Sequence, residues 1–194
     1  MKLPVCIFDI ESDMLCSNCQ DRLDRGEITR FDIDFSKWLL DRLRKYPPLE
    51  DLSLQRAIKT ANHLILVTKK KNAHILESLE PLVAEMQQTF GELLIFEQPL
   101  KLRRVVRQLI DPAMEVGVNS LYLPDGTRES IVMLRNDDKE KILFSKESLR
   151  DIASAVLGEP VLFQYQDDRV EKVDDTKDSF DEKMKEFSFR QKRR

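Results

Sequence analysis

No stretch of this sequence approaches eighteen consecutive apolar residues, which leaves no candidate for a membrane-spanning helix. The opening Met1-Lys2-Leu3-Pro4 lacks the charged and apolar regions of an export signal. Cysteine is scarce and odd in number, three in 194 residues, so a disulfide framework is not expected. Reduced thiols without an export signal place the chain in the cytoplasm. There is no P-loop, no GxSxG, no HExxH and no GxGxxG, and the two histidines join no catalytic pattern; the expectation is a protein that is not an enzyme. A formal net charge of −3 provides no global basic field for coating nucleic acid. What is abundant is charge of both signs, 35% of residues, beside 41% hydrophobic residues, enough for a packed core.

All three cysteines fall within the first nineteen residues. Cys16-Ser-Asn-Cys19 is a two-residue-spaced thiol pair, and Cys6-Ile-Phe-Asp9 repeats the spacing with a carboxylate in the fourth position. Two such knuckles bring four ligands, Cys6, Asp9, Cys16 and Cys19, around one tetrahedral zinc, which accepts thiolate sulfur and carboxylate oxygen alike. A metal would also order a segment too short to bury a core of its own. Three other readings stay open at this point: a redox CxxC, a metal-free remnant, and cysteines serving as small apolar core residues.

Gln20 to Arg25 forms a short polar helix ended by Gly26. Thr29 to Phe35 alternates polar and apolar and predicts a strand-like entry, followed by a helix over 36–45 with Ser36 as N-cap. Pro47-Pro48 stops that helix and makes 46–52 a linker. A helix over 53–61 then leads into His63-Leu-Ile-Leu-Val67, apolar and β-branched enough for a buried strand. Pro81 splits the next helical pattern into a short helix around Ala73–Glu77, a turn at 78–80, and a second helix to Phe90, with Gly91 as its stop and Leu93–Phe96 as the next strand.

The order then repeats. Lys101 to Ile110 is an amphipathic helix ended by Asp111-Pro112; Val118–Leu123 and Ser130–Leu134 flank Pro124-Asp125-Gly126 as a hairpin. Ser145 caps a helix through Leu157, with Phe144 and Leu149 as its staple, and Val161–Tyr165 closes as a strand. Two successive helix–strand–helix–strand units indicate an α/β or α+β chain in tandem. From Asp167 the apolar residues thin out: 167–187 hold nine acids against five bases, and the last seven residues hold four bases and no acid. That composition predicts a disordered or frayed tail over 167–194.

This layout resembles the NusA-like KH-domain proteins of archaea, in which a cysteine-knuckle segment precedes KH-like units of the type II order. The resemblance is carried by Leu15-Cys-Ser-Asn-Cys-Gln20 with Gly26-Glu-Ile28, by His63-Leu-Ile-Leu-Val67, by Gly91-Glu-Leu-Leu-Ile-Phe-Glu97, and by Pro112 to Gly126. It implies a zinc-knuckle segment at 1–28, a helical connector at 29–52, a first KH-like unit at 53–98, a second at 99–166 and the tail beyond. The family pattern has two CxxC pairs, so Asp9 stands where a cysteine is expected. KH units grip single-stranded RNA through a GxxG loop whose glycines let phosphate approach backbone amides. The matching slots here read Glu77-Ser-Leu-Glu80 and Phe144-Ser-Lys-Glu147. Neither holds a glycine, and the two carboxylates of the first repel phosphate.

Two basic groups remain as candidate RNA contacts. Lys69, Lys70 and Lys71 follow the buried strand, and Arg103, Arg104 and Arg107 lie on the helix over 101–110 at spacings that put Arg107 beside one of the other two. Each group also reads as an ordinary solvated face. His74 borders the lysines and is a candidate base contact; His63 reads as a packed strand residue. The resemblance implies a non-enzymatic RNA-binding protein acting in transcription elongation or termination, or in RNA handling near the ribosome, with partners from those machineries. The alternative is a protein-interaction scaffold on KH-like units that have lost RNA binding.

Overall fold

The structure is a computed structural model and describes residues 1–124 and 126–166. The expected tail over 167–194, and Asp125 of the expected hairpin turn, lie outside the described residues. The fold is α+β. The chain forms two compact units, Met1–Val105 with Ala155–Gly158, and Val106–Ser154 with the chain from Glu159 onward.

The first unit opens with two short helices, α1 (Ile7–Ser12) and α2 (Ser17–Asp24). The Gly26 N–H bonds Leu23 O and the Glu27 N–H bonds Arg22 O, closing α2 with a Schellman-type turn in which Gly26 takes φ 72°. Helix α3 (Arg30–Asp41) follows, then a 3-10 helix at Pro47–Asp51, strands β1 (Leu54–Lys59) and β2 (His63–Thr68), helices α4 (Ala73–Glu77) and α5 (Glu80–Phe90), and β3 (Glu92–Glu97). The strands form one sheet in the order β1-β2-β3, antiparallel then parallel. β2 is buried at every position, as a central strand with both faces covered must be. Leu64 and Leu66 of β2 share a core with Phe35 and Leu39 of α3, Leu76 of α4, and Leu82 and Met86 of α5.

Three expectations in this unit are corrected. Residues 30–35 are helical, not strand-like, and the N-cap is Thr29 rather than Ser36. The Thr29 hydroxyl accepts the Asp32 N–H (3.2 Å) while Asp32 Oδ2 accepts the Thr29 N–H (2.7 Å), a reciprocal capping box. The polar–apolar alternation of Phe31-Asp-Ile-Asp-Phe35 coincides with that box and mimics a strand period. Residues 54–59 are a strand, not a helix. A bulge between Leu54 and Arg56 breaks the two-residue alternation, and pairing with β2 overrides the helix-forming composition. The expected linker is likewise structured: Leu49 and Leu52 are buried in the core. Pro81 falls in the first turn of α5, where a missing N–H costs nothing.

Further along come α6 (Leu102–Ile110), β4 (Gly117–Tyr122), β5 (Arg128–Leu134), a 3-10 turn at Asn136–Asp138, α7 (Lys146–Leu157) and β6 (Val161–Tyr165). The second sheet runs β4-β5-β6, again antiparallel then parallel. Val132 and Leu134 of β5 pair with Phe163 and Tyr165 of β6, and all four are buried. The hairpin closes through the Leu123 N–H on Thr127 O (2.9 Å), with Gly126 at φ 84°. Ser145 caps α7 as expected, its hydroxyl accepting the Ser148 N–H (3.1 Å).

Candidate metal centre and basic surface

The two knuckles are two helix starts. Cys6 is the N-cap of α1 and Asp9 lies in its first turn; Cys16 is the N-cap of α2 and Cys19 follows three residues on. A cap residue and the residue three later lie on the same side of a helix, so each short helix offers a pair of ligands. The potential ligand atoms of Cys6, Asp9, Cys16 and Cys19 all lie within 4.8 Å of one another, and the Sγ atoms of Cys6 and Cys19 are 3.6 Å apart. Bonds of about 2.3 Å to a tetrahedral ion place sulfurs about 3.8 Å apart, so the donor set fits one such ion. These four residues can hold a metal ion.

Two features position the ligands. Asp9 Oδ2 accepts the Cys16 N–H (3.1 Å), tying one knuckle to the other. Cys19 is fully buried in a small cluster with Val5, Ile10 and Ile28, against which Ile33 and Leu40 of α3 pack. Arg22 Nη1 donates to Pro4 O (2.7 Å) across the knuckles, a contact that no feature of the sequence signalled. Hydrogen bonds from Cys19 and Cys16 hold the Asp9 carboxyl below its ordinary range. Burial, then the hydrogen bond to Asp9, pushes the Cys19 thiol up to about 12. Without a metal, therefore, Asp9 is an anion and Cys19 keeps its proton at neutral pH.

The candidate RNA contacts fare unequally. Lys69, Lys70, Lys71 and His74 are all exposed. Their turn is firmly held: Asn72 Oδ1 accepts the Ser53 N–H (2.8 Å), the Lys69 N–H bonds Ser53 O (3.0 Å), and Glu97 Oε1 accepts the Ala73 N–H (3.1 Å). The amides of residues 71–73, Ala73 first, keep the Glu97 carboxyl below its usual range. Lys69 and Lys70 line an open groove of about 520 Å³ with Gln98, Pro99 and Leu100. Arg104 reaches Glu97 at 3.5 Å and so shares a carboxylate with the lysine turn, while Arg103 is exposed. Arg107 is separate: its guanidinium holds both oxygens of Glu115, whose side chain is only 5% exposed, at 2.8–3.0 Å. Sequence reasoning missed Glu97 and Glu115, since both act across a turn rather than at a helical spacing.

The slots for a glycine grip are also placed. Glu77 to Glu80 is the α4–α5 junction, with both carboxylates exposed. Phe144 to Glu147 enters α7, and Phe144, Ser145 and Lys146, with Lys139, Ile142, Leu143 and Tyr165, line a groove of about 530 Å³. His63 is buried in β2 with Nε2 3.4 Å from Glu92 Oε2, a packed strand residue.

No family model and no curated protein matches the chain. Among solved structures 67 chains match. One of them, "Crystal structure of APE1850", aligns with a TM-score of 0.50 and 17% identity over 64% of this chain and 96% of its own. At that identity the likeness is one of fold.

Proposed function

We propose that this protein is a non-enzymatic, cytoplasmic RNA-binding protein, built from a zinc-knuckle segment and two degenerate type II KH-like units. The observation that carries the reading is the Lys69–Lys71 turn: its backbone is fastened by Glu97, Ser53 and Asn72, all three lysines are exposed, and Lys69 and Lys70 line an open groove. A strand of phosphates would meet three positive charges there on an already ordered backbone. Both sheets repeat one strand polarity, which supports tandem units. With no glycine in either slot, binding rests on charge and shape.

Zinc is the ion that best suits three thiolates and a carboxylate. Cys6, Asp9, Cys16 and Cys19 would hold it, and a set of four protein ligands leaves no open position, which supports a structural role. A setting in transcription elongation or termination, or near the ribosome, rests on the NusA-like resemblance alone.

The test is a fluorescence-anisotropy titration with short single-stranded RNA across a salt series, comparing wild type with a Lys69→Ala, Lys70→Ala, Lys71→Ala variant. Each phosphate contact adds about 0.7 to the slope of log affinity against log salt, so losing three lowers it by about 2. An unchanged slope, or no binding at low salt, would sink the reading. A scaffold role is the second reading, favoured by the exposed Ile7, Phe8 and Met14 beside the knuckles (40%, 75% and 73%). It predicts no RNA binding at any salt.

A further inference from the structure

The strand edges of the two sheets are not equally protected. At β1 the Ala57 N–H is taken by Asp32 Oδ1 (2.6 Å), and Lys2 bridges to Ser53 just before the strand. β3 carries a carboxylate at each end, Glu92 and Glu97. β6 is buried at alternate positions, with the Val161 N–H on Ser154 Oγ (3.0 Å). β4 has none of these guards. Gly117-Val-Asn-Ser-Leu-Tyr122 contains no charge and no proline, and it pairs with β5 in an unbroken register without a bulge. Proteins guard free edges with charge, proline or bulges because an open edge recruits another strand.

The edge is also apolar. Met114, Val116, Leu121 and Tyr122 are 64%, 45%, 46% and 73% exposed, four large apolar side chains within nine residues. Val118, Ser120 and Tyr122 share a sheet face with the buried Val132 and Ser130 of β5, yet Ser120 and Tyr122 stand exposed, with the Arg128 guanidinium on Ser120 Oγ (3.0 Å). The Leu123 N–H points to Thr127. By antiparallel alternation, the N–H and C=O groups of Val118, Ser120 and Tyr122 therefore face away from β5.

We infer that β4 is a homodimer interface, in which two copies pair antiparallel through β4 and join their three-stranded sheets into one. A second copy is the occupant because the edge is complementary to itself. A two-fold axis through Ser120 matches the outward-facing groups of both strands and sets Val118 opposite Tyr122 twice, an aromatic–β-branched pair of the kind that stabilises sheets. Leu121 falls opposite Asn119 on the other face. The strand itself carries no charge into the pairing. Arg128, which pairs with Tyr122 across the sheet, donates its guanidinium to Ser120 Oγ (3.0 Å) and so lies near the axis in both copies, and the pairing is expected to strengthen with salt. The inference does not depend on RNA binding.

Sedimentation of the full chain, from low micromolar to roughly 100 µM, tests it, since dimer stability is tied to concentration. Wild type is expected to move from 22.8 kDa toward twice that mass. Ser120→Pro and Tyr122→Lys are expected to stay monomeric. Proline is tolerated at an edge position whose N–H faces outward, so Ser120→Pro removes no backbone bond to β5, only the side-chain bond from Arg128 to Ser120 Oγ. A wild-type chain that stays at monomer mass throughout overturns the inference, whether or not the edge takes a strand from another protein. So does a dimer that survives both substitutions. Should either variant unfold, hydrogen exchange of the wild type decides. Amides of Val118, Ser120 and Tyr122 that slow as concentration rises support pairing, and rates independent of concentration overturn it.

Discussion

The two oxygens of Asp32 serve two elements: Oδ2 takes the Thr29 N–H at 2.7 Å and closes the cap of α3, while Oδ1 takes the Ala57 N–H of β1 at 2.6 Å. The side chain is fully buried, so this carboxylate is both the start of a helix and the hinge that sets that helix on the sheet. Asp32→Ala leaves the Ala57 and Thr29 N–H groups without their partner. Adding a lost cap to a lost buried charge-assisted bond gives about 3 kcal/mol of destabilisation, read by urea unfolding. A loss below about 1 kcal/mol would mean that water satisfies both donors as well.

The metal centre is expected to carry about one zinc per chain, measured by elemental analysis of protein purified without chelators. A total of order 12 kcal/mol shared over four ligands gives about 3 kcal/mol each, so Cys19→Ser weakens zinc binding roughly a hundredfold or more. Because the Cys19 thiol is pushed up to about 12, coordination must expel its proton. For that proton alone the apparent affinity rises about tenfold per pH unit across neutral pH. A chelator competition at several pH values reads the slope, and a flat profile would mean that Cys19 stays protonated and uncoordinated.

A cluster of donors on Glu85 fastens the end of α3 to α5. Arg42 Nε (2.9 Å), the Tyr46 hydroxyl (3.0 Å) and the Lys45 ammonium all meet it, and Lys45 first, then Arg42 and Tyr46, lower its carboxyl to about 2. A carboxyl lowered on folding from its ordinary 4.5 contributes stability that is complete above that value and is lost as pH falls toward 2. Thermal melts should therefore show a steeper fall over that window in wild type than in Glu85→Gln. Identical pH profiles would show the cluster to be energetically silent.

Gly91 lies between α5 and β3 at φ 98°, and a Cβ there would sit 2.3 Å from the Asn62 carbonyl oxygen. That oxygen already accepts the Glu92 N–H (3.0 Å), so it cannot retreat freely. Gly91→Ala combines a backbone conformation open essentially to glycine alone with overpacking, about 3 kcal/mol together. Denaturant unfolding measures it, and a change under about 1 kcal/mol would show that the β1–β2 turn yields.

What could be read from the sequence follows from what was local. The buried strand over 63–67, the break at Pro81, the stop at Gly91 and the cap at Ser145 each rest on a few neighbouring residues, and all appear in the structure. The four-residue cysteine and aspartate cluster was legible for the same reason, since ligand spacing on a helix start is a local property. α3 and β1 were misread because each carries the other's periodicity. Asp32 and Asp34 give a helix a two-residue beat, and the bulge at Leu54/Arg56 takes that beat from a strand. The quenching of Arg107 by Glu115 and the fastening of the lysine turn by Glu97 depend on chain segments meeting in space. No spacing announces either.

The strand polarity of the first sheet sets an order of events during synthesis. β1 and β2 close as a hairpin across three residues, a contact available in microseconds once Thr68 is made. β3 pairs with β2 in parallel and must wait for both crossover helices, so the sheet stays two-stranded until Glu97 has emerged. Through that interval the apolar β2 has one unpaired edge. Sheet completion is thus a late, non-local step, and a nascent chain held after Thr68 has emerged but before Glu97 has leaves an apolar strand edge open to other chains.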